Sequence, residues 1–414
     1  MQKTLIVIGG GAAGFFCAIN AAKLNPTFRV IIIEKNNKLL SKVKISGGGR
    51  CNVTHHCLDI GELIKNYPRG YNFLKKALHW FSVKDTIAWF EQRGIALKTE
   101  KDGRMFPVSN NSQTIIDCFL QEAHKYNVEI ITSCEIIAFQ KENNLFHLTT
   151  HSNQHFKCNF LCIATGGYAK SLQFQWLEKI GHSIEKPLPS LFTFNMPQHT
   201  ITQLMGVSVD EVQIKITHSK LQTKGALLIT HWGISGPAVL KLSAFAAKEL
   251  ANKNYNYTIV INWLTQYTEQ TLRDEWLHFR QQFASSKIFS KNPFALPNRL
   301  WQYLLQQSNI NEEIRWADVS SSQQNKLIKN LTAMEFEIKG KTTFKEEFVT
   351  CGGIKLNEVD VNTMQSKIIP QLFFVGEVLD IDGITGGFNF QNAWTTAFIA
   401  ANAIGKSETL SLSS

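Results

Sequence analysis

The sequence predicts an α/β protein whose main domain is discontinuous and carries a β-rich and a helical insertion. An apolar strand, a glycine turn and an apolar helix open the chain over residues 5–24, and a second buried strand follows at 30–33. A buried strand at 372–375 and a helix from about 389 to 403 predict that the chain returns to the same sheet. Between these two parts the pattern changes first to short β-type runs and then to long helical stretches.

Shifts in these patterns set the expected domain boundaries. The main domain is predicted to comprise residues 1–190 and 345–414, the β-rich insertion 191–266 and 333–344, and the helical insertion 267–332. A length of 414 residues is ample for two to three domains of about 150 residues each.

Local patterns predict further elements of the chain. Residues 35–70 are glycine-rich and basic, and we expect them to be irregular. Ser82 and Asp85 have the spacing of a capping box at the start of a helix. Residues 129–137 are expected to form one strand, and Ser235, which precedes Gly-Pro, is expected to cap a helix.

Composition excludes several classes of protein. Hydrophobic residues make up 44% and charged residues 18%, which is typical of a globular chain rather than a disordered or coiled-coil one. The net charge of +10 permits anionic ligands or nucleic acid without requiring them. The eight cysteines form no C-x-x-C and match no zinc template, so we expect no metal site and a reducing, cytoplasmic location. No apolar run is long enough to predict a membrane span.

The opening turn has the pattern of a dinucleotide-binding motif. Gly9-x-Gly11-x-x-Gly14 lies between a predicted strand and helix, where its glycines permit a tight turn, close approach of a pyrophosphate and close helix packing. The helix N-terminus would then present unpaired N–H groups to the phosphates. Glu34 ends the next strand about 20 residues later, where a carboxylate accepts hydrogen bonds from ribose hydroxyls. This motif alone does not separate NAD from FAD.

A second glycine turn near the carboxyl end favours FAD and a Rossmann-like flavin-binding domain. The strand at 372–375 leads to Gly376-Glu377 and Asp380, whose carboxylates are suited to ribityl or ribose hydroxyls. The turn Gly386-Gly387 then directs a helix N-terminus at the ligand. Such donors stabilise the negative charge of a reduced flavin, although an ordinary capped helix would show the same local pattern.

A third glycine-rich segment is followed by a cation. Ser46-Gly-Gly-Gly-Arg50-Cys51-Asn52 offers bare backbone that can lie against a flat ring or a phosphate. Arg50 and these glycines are expected to touch the cofactor, whereas Lys38 is expected to be solvated. Cys51 faces either the cofactor or the protein core, and packing is the favoured interpretation.

Six sequence blocks together resemble one protein family. They are Gly9–Gly14, Lys44–Asn52, Gly103–Pro107, Thr230–Pro237, Thr350–Gly353 and Gly376–Gly383. Over essentially the whole chain they resemble the bacterial flavoproteins called the HI0933-like or YhiN family, which includes the BaiN-type bile-acid reductases. The resemblance implies a Rossmann-like domain with one bound FAD, an inserted β-domain and an inserted helical domain.

The resemblance and the glycine motifs together define a set of candidate FAD contacts. The resemblance implies that Ile136 lies on the strand whose backbone contacts adenine, and that Ala164, Thr165 and Gly166 lie near the adenosine end. The full set is Gly9, Gly11, Ala13, Gly14, Glu34, Lys35, Ser46, Gly47, Arg50, Cys51, Asn52, Ile136, Ala164, Thr165, Gly166, Gly376, Glu377, Asp380, Gly386, Gly387, Phe388 and Asn389.

Residues that could handle a substrate are few. His231 is a candidate general acid, Ser235 starts a helix whose free N–H groups could bind a carboxylate or carbonyl oxygen, and Arg104 is a further candidate for substrate handling. Each has an ordinary structural interpretation as well. No second strand-flanked G-x-G-x-x-G is present, so NADH or NADPH, if it is the donor, must enter the substrate cleft or bind at an unusual site.

We therefore expect an FAD-dependent oxidoreductase, with NAD(P)H-driven reduction of an activated C=C bond in a small molecule as the favoured activity. The alternative is a flavoprotein that acts on or associates with RNA, which the +10 charge motivates. The absence of an RNA-binding module motif disfavours nucleic acid as the partner. A flavoprotein without turnover is a third hypothesis. The sequence does not specify the oligomeric state.

Overall fold

The computed structural model describes residues 2–342 and 349–406 of the protein. The chain divides into two compact units, one formed by 1–189 with 345–414 and the other by 190–344. The expected boundary between residues 344 and 345 lies outside the described residues, and the expected domain limits stay predictions.

The first unit contains parallel and antiparallel strands with helices between them. Its strands are β1 (Thr4–Ile8), β2 (Arg29–Ile33), β3 (Thr54–His55), β4 (Leu97–Thr99), β5 (Arg104–Pro107), β6 (Glu129–Ile131), β7 (Ile136–Glu142), β8 (Leu145–Thr150), β9 (His155–Cys158), β10 (Phe160–Ile163), β11 (Ile184–Pro189), β19 (Thr350–Ile354) and β20 (Leu372–Phe374). Its helices are α1 (Ala12–Leu24), α2 (Ser41–Gly49), α3 (Ile60–Ile64), α4 (Tyr71–Ala77), α5 (Val83–Glu91), α6 (Ser112–Lys125), α7 (Gln175–Glu178) and α12 (Phe388–Ala403).

A five-stranded parallel sheet forms the centre of the first unit, in the order β20-β10-β1-β2-β6. The chain proceeds from β1 outward to β2 and β6, and then crosses to β10 and β20 on the other side. The strand order therefore reverses between β1 and β10. Ligands of open α/β sheets bind outside the carboxyl ends of the strands at such a reversal. The predicted fold class is confirmed.

Helices α1 and α12 pack against each other beside this sheet. Both are buried along most of their length. The ring centroids of Phe16 and Trp394 are 5.2 Å apart, and the Trp394 indole N–H donates to the carbonyl of Val53 at 2.9 Å. Helix α12 is thereby fixed against α1.

Two local predictions for the first unit are wrong, and one is confirmed. The expected strand 129–137 is interrupted at Ser133, which has φ +54°, so that Ile136 begins a separate antiparallel sheet of β7, β8 and β9. Residues 35–70 are not wholly irregular, because they contain α2 and α3. The capping box at the start of α5 is present, since the Ser82 N–H donates to Asp85 Oδ2 at 2.7 Å.

The second unit is an antiparallel sheet and four helices that share one hydrophobic core. Its strands are β12 (Thr193–Asn195), β13 (Ser208–Ile216), β14 (Gln222–Thr230), β15 (Gly233–Ser235), β16 (Asn256–Asn262), β17 (Met334–Lys339) and β18 (Lys341–Thr342), and its helices are α8 (Pro237–Asn252), α9 (Glu269–Gln282), α10 (Asn298–Gln307) and α11 (Ser321–Thr332). Buried Trp276, Trp301 and Trp316 from the helical part belong to the same core as Ile214 and Ile259 of the sheet.

The predicted cap of α8 is wrong by one residue. Ser235 still belongs to β15, where it pairs with Leu228, and Gly236 occupies the N-cap position with φ +101°. A glycine is required there because the turn from strand to helix uses a backbone conformation that other residues rarely adopt. A Cβ on Gly236 would also lie 2.8 Å from the carbonyl oxygen of Ala226.

Candidate cofactor site

The turn between β1 and α1 depends on its glycines. Gly9 has φ +115°, and a Cβ there would overlap the backbone of Ala164 at the end of β10. A Cβ on Gly14 would overlap the carbonyl oxygen of Gly9. The two outer glycines of the motif therefore let the strand, the turn and the helix pack without a gap.

The N-terminus of α1 is open to a ligand. Gly11 is its N-cap and provides no side-chain acceptor, and a Cβ on Gly11 would meet nothing within 4 Å. Within the described residues, the backbone N–H groups of Gly11 to Gly14 donate to no protein acceptor. Unpaired donors at the positive end of a 13-residue helix are suited to an anion such as a pyrophosphate.

Glu34 is held beside this turn by neutral donors. Its Oε2 accepts from the N–H of Gly10 at 2.8 Å, and its Oε1 accepts from the backbone and side-chain N–H groups of Asn36, both at 2.9 Å. A carboxylate fixed in this way retains lone pairs for ribose hydroxyls, as the sequence predicts. The adjacent Lys35 is exposed, with Nζ 5.8 Å from the ring centroid of Tyr168.

The turn after β20 lies against the first turn of α1. Gly376 has φ +74°, and a Cβ there would lie 2.8 Å from the Cβ of Ala13. Its N–H donates to Thr396 Oγ1 of α12 at 2.9 Å. Gly376, Ala13 and α12 are thus in mutual contact at one edge of the sheet, although Gly376 and Ala13 are far apart in the sequence.

The residues at the end of β10 border both of these turns. A Cβ on Gly14 would lie 3.4 Å from the Cβ of Ala164, and a Cβ on Gly166 would lie 3.8 Å from Oε2 of Glu377. Thr165 Oγ1 donates to the carbonyl of Gly166 at 3.4 Å, and the Thr165 side chain also contacts the Tyr168 side chain. The structure therefore brings together the glycine turns that the sequence placed in one site.

Helix α12, like α1, begins at a glycine N-cap, which has no side chain to accept a hydrogen bond. Gly387, its N-cap, has φ +92°, and a Cβ there would lie 2.5 Å from the backbone of Thr54. The Asn52 amide, oriented to donate to the carbonyls of Thr54 and Met105, accepts from the Gly387 N–H at 2.9 Å. Asn52 therefore positions the start of α12 rather than pointing away from the protein.

The glycine run at the end of α2, where the backbone leaves the helical conformation, packs against an aromatic ring. A Cβ on Gly47 would lie 2.7 Å from Phe106, and the guanidinium of Arg50 lies over that ring at 4.0 Å. Arg50 Nη1 also contacts Glu100 Oε1 at 2.5 Å, and Arg104 Nη2 lies 3.3 Å from the other oxygen of Glu100. In this structure both arginines are paired with acidic side chains.

Cys51 and Ser46, on either side of the glycine run, make their contacts inside the protein. Cys51 is fully buried with φ +61°, and burial raises the pKa of its thiol to about 12. Its thiol is therefore neutral and poorly nucleophilic at physiological pH. The Ser46 hydroxyl donates to the carbonyl of Val43 at 2.9 Å.

Three further candidates near α12 form hydrogen bonds or packing contacts with other residues of the protein. Asp380 Oδ1 accepts from the N–H of Gly352 at 3.1 Å. Asn389 closes the preceding loop, because its amide accepts from the N–H of Gly383 at 2.8 Å and donates to its carbonyl at 2.9 Å. A Cβ on Gly386 would lie 2.8 Å from the ring of Phe388. These side chains shape the loop before α12.

The three catalytic candidates fall in different units. Arg104 lies on β5 of the first unit and pairs with Asp102 at 2.7 Å. His231 is exposed in the turn between β14 and β15 of the second unit, with its ring centroid 4.3 Å from that of Trp232. Ser235 lies at the far end of β15. Their roles stay predictions.

Two residues that the sequence analysis did not select stand out. His55 stacks on Phe388, and Lys42 pairs with Glu377 at 2.5 Å. Lys42 is one of several lysines in a basic segment, and His55 carries no motif signal. Only the tertiary fold distinguishes them from their neighbours.

These features fit FAD. Helix α1 begins at the reversal of strand order with a glycine N-cap and no side-chain cap, and a fixed carboxylate stands beside it. Helix α12, which packs against α1, also begins at a glycine. Pyrophosphate oxygens would accept from the N–H groups of α1, and ribose hydroxyls would donate to Glu34.

Comparison with known proteins agrees with this assignment. The family described as HI0933-like protein Rossmann domain matches residues 3–403. With the site described above, this match makes the protein an FAD-dependent oxidoreductase. The chain belongs to the HI0933-like family.

Individual relatives span nearly the whole chain. The ribosomal RNA dihydrouridine synthase of Escherichia coli (strain K12) is 31% identical over 407 residues, covering 96% of each chain. The protein of the same name from Haemophilus influenzae is 28% identical, covering 97% of this chain and 98% of the relative. The 3-dehydro-bile acid delta(4,6)-reductase of Clostridium scindens is 26% identical, covering 96% of this chain and 98% of the relative.

A solved structure shares the fold. The 3-ketosteroid-delta4-(5alpha)-dehydrogenase from Rhodococcus jostii RHA1 superposes with a TM-score of 0.51 at 11% identity, covering 97% of each chain. At that identity the likeness concerns the fold alone. Over residues 2–342 and 349–406, no helix combines the length and apolar character needed to cross a bilayer.

Proposed function

We propose that the protein reduces a C=C bond conjugated to a carbonyl group, with NADH or NADPH as the electron donor. The observation that carries this proposal is a feature common to its relatives. A dihydrouridine synthase saturates a double bond next to a carbonyl in uracil, and a delta(4,6)-reductase of a 3-dehydro-bile acid saturates double bonds conjugated to a ketone. Their substrates differ greatly in size and charge, but the type of bond is the same.

The net reaction is balanced by one donor molecule and one proton. NAD(P)H supplies two electrons and a hydrogen as hydride, a proton completes the second C–H bond, and NAD(P)⁺ is released. FAD, when bound, supplies hydride chemistry between donor and acceptor. No group of the protein has to become covalently attached to the substrate.

The chain supplies binding, orientation and charge stabilisation. The N–H groups of α1 hold the pyrophosphate, and Glu34 orients the ribose. The positive end of α12 favours negative charge on the reduced isoalloxazine. In the second unit, His231 is the candidate donor of the proton, and the N-terminus of α8, after Ser235, is the candidate for binding the carbonyl oxygen.

An anaerobic titration tests the electron donor and the acceptor separately. The visible spectrum of the purified holoenzyme is recorded before and after NADH and NADPH, and a conjugated enone is then added. Loss of the flavin absorbance with one donor, followed by its return with the enone and a product heavier by two hydrogens, is the expected result. A flavin that stays oxidised with both donors would overturn NAD(P)H as the donor. A flavin that no acceptor reoxidises would favour a protein without turnover.

A uracil base in RNA is the second candidate substrate. The names of the two relatives at 31% and 28% identity favour it, and the net charge of +10 suits a polyanion. The experiment compares ribosomal RNA from cells with and without the gene, and digests it for mass spectrometry of its nucleosides. Loss of dihydrouridine in the deletion strain supports this substrate, whereas unchanged dihydrouridine favours the small-molecule enone.

We also propose a reducing, cytoplasmic location. The chain has eight cysteines, seven of them are buried, and the described structure contains no disulfide among them. Disulfides are rare in the cytosol, so a cysteine-containing chain of this kind is suited to that compartment.

A further inference from the structure

We propose that Lys42 supplies the counter-charge that lets Glu377 stand beside the FAD pyrophosphate. This inference rests on FAD binding at the two glycine turns and not on the identity of the substrate. It assigns a role to one lysine of a basic segment that the sequence analysis could not resolve into individual functions.

The ion pair links two parts of the first unit. Lys42 is on α2, and its Nζ lies 2.5 Å from Oε2 of Glu377, which follows Gly376 directly. The Glu377 side chain is 16% exposed and the Lys42 side chain 61%. The carboxylate of Glu377 is thus the more buried partner, and the longer Lys42 side chain extends to it from the solvent side. The charge of Glu377 raises the pKa of Lys42.

The backbone directly before Glu377 is held beside the first turn of α1. The N–H of Gly376 is fixed by Thr396 of α12, and a Cβ on Gly376 would touch Ala13 in the first turn of α1. Any ligand phosphate at the N-terminus of α1 therefore lies at the same edge of the sheet as the Glu377 carboxylate. A phosphate and a carboxylate at the same edge of the sheet repel each other, and a counter-charge offsets that repulsion.

The two carboxylates of the site are stabilised in different ways. Glu34 accepts hydrogen bonds from neutral N–H groups of Gly10 and Asn36. For Glu377, Lys42 is the hydrogen-bond and ion-pair partner found within the described chain. Glu34 would keep its geometry without any lysine, whereas Glu377 would lose both its positioning contact and its charge compensation.

A neighbouring lysine provides a matched control. Lys38 lies in the same basic segment and is exposed, and it has no ion pair with an acidic side chain of the described residues. Replacing it removes the same unit of charge from the same segment but leaves the Lys42–Glu377 contact in place. Comparison of the two positions separates a specific contact from the general positive field.

The test measures the Kd of FAD for apoprotein prepared from each variant, without any turnover. We expect Lys42→Met to raise the Kd about five- to tenfold, and Lys42→Arg and Lys38→Met to change it by less than about twofold. In the Lys42→Met background, Glu377→Gln should restore part of the affinity, because a neutral amide needs no counter-charge. The Lys42→Met effect should also shrink at high salt.

Two results would overturn the proposal: an unchanged Kd for Lys42→Met, or a further loss of affinity when Glu377→Gln is added to it. Thermal unfolding of the apoproteins checks that each variant folds, and Lys42→Gln replaces Lys42→Met if the latter does not. Because the readout is FAD affinity, a protein that binds FAD but reduces no C=C bond leaves this test intact. A wild-type protein that binds no FAD would instead overturn the cofactor assignment itself.

Discussion

The imidazole of His55 stacks on the ring of Phe388, with centroids 4.8 Å apart and planes 20° from parallel. His55 Nε2 also lies 3.0 Å from the carbonyl oxygen of Asp102, which belongs to the turn before Arg104. One side chain therefore joins the β4–β5 turn to the first residue of α12. Burial lowers the pKa of His55, so the ring is neutral at pH 7.

We predict that His55→Ala weakens FAD binding and lowers the free energy of unfolding by about 1–2 kcal/mol, because the aromatic contact that supports α12 is lost. His55→Phe keeps the stacking area and should recover most of both losses. Titration of the apoprotein with FAD and urea unfolding measure the two effects. Equal losses in the two variants would contradict a role for stacking.

The first glycine motif predicts opposite outcomes at two of its positions. Gly14→Ala should prevent correct folding or cost several kcal/mol, since its Cβ would overlap the carbonyl oxygen of Gly9. Gly11→Ala should fold normally, because its Cβ meets nothing within 4 Å and its φ is −95°. It should nevertheless weaken FAD binding, since the methyl group would project into the open space before α1. Circular dichroism and FAD titration distinguish the two; tight FAD binding by Gly11→Ala would contradict this placement.

Stability is expected to fall as the pH is lowered from 7 to 5. His182 is buried between Glu358, 3.0 Å from its Nδ1, and Ser366, 2.9 Å from its Nε2. Burial lowers its pKa in spite of the nearby carboxylate, and burial lowers the pKa of His55 and His199 as well. Below about pH 6.5 the unfolded chain then binds more protons than the folded one, so acidification favours unfolding.

Urea unfolding at pH 7.5 and 5.5 measures this dependence. His182→Gln should have a smaller difference between the two pH values than the wild type, while the exposed His151→Gln should match the wild type. A pH dependence that is unchanged by His182→Gln would assign the effect to other groups.

A largely buried ion pair joins Arg93, just after α5, to Glu122 of α6. The side chains of Arg93 and Glu122 are 8% and 11% exposed, with Nε 2.7 Å from Oε2, and the guanidinium lies 3.5 Å from the centroid of the Trp89 ring. Arg93→Met should cost about 3 kcal/mol, because Glu122 then keeps only Lys125, 3.4 Å away, as a cationic partner. The double variant with Glu122→Leu should be less destabilised than Arg93→Met alone, as measured by urea unfolding.

The parts of the site that depend on local chain geometry were predictable from sequence. Gly9, Gly11 and Gly14 are constrained by a turn of a few residues, and Glu34 follows from the length of one βαβ unit. The Gly376 turn was also predictable, because a buried apolar strand ends directly before it. Each of these patterns spans only a short stretch of the chain, so it can be read from one sequence.

Contacts between distant segments were not predictable in this way. Lys42 and Glu377 are 335 positions apart, and nothing in the basic segment singles out Lys42 before the chain folds. The error at Ser235 has a different cause, since the pairing of β15 with β14 extends the strand through the residue that would otherwise cap α8. The interruption at Ser133 is hidden because apolar residues continue on both sides of it.

The place of β20 in the sheet has a consequence for how the protein matures during translation. Leu372 pairs with Leu161 of β10, so the strand that leads into the second glycine turn is made long after the first glycine turn. The ribosome adds about 5–20 residues per second, so the first glycine turn emerges tens of seconds before its counterpart. A nascent chain that lacks β20 therefore has only one of the two turns, and we expect FAD binding to follow synthesis of the second turn.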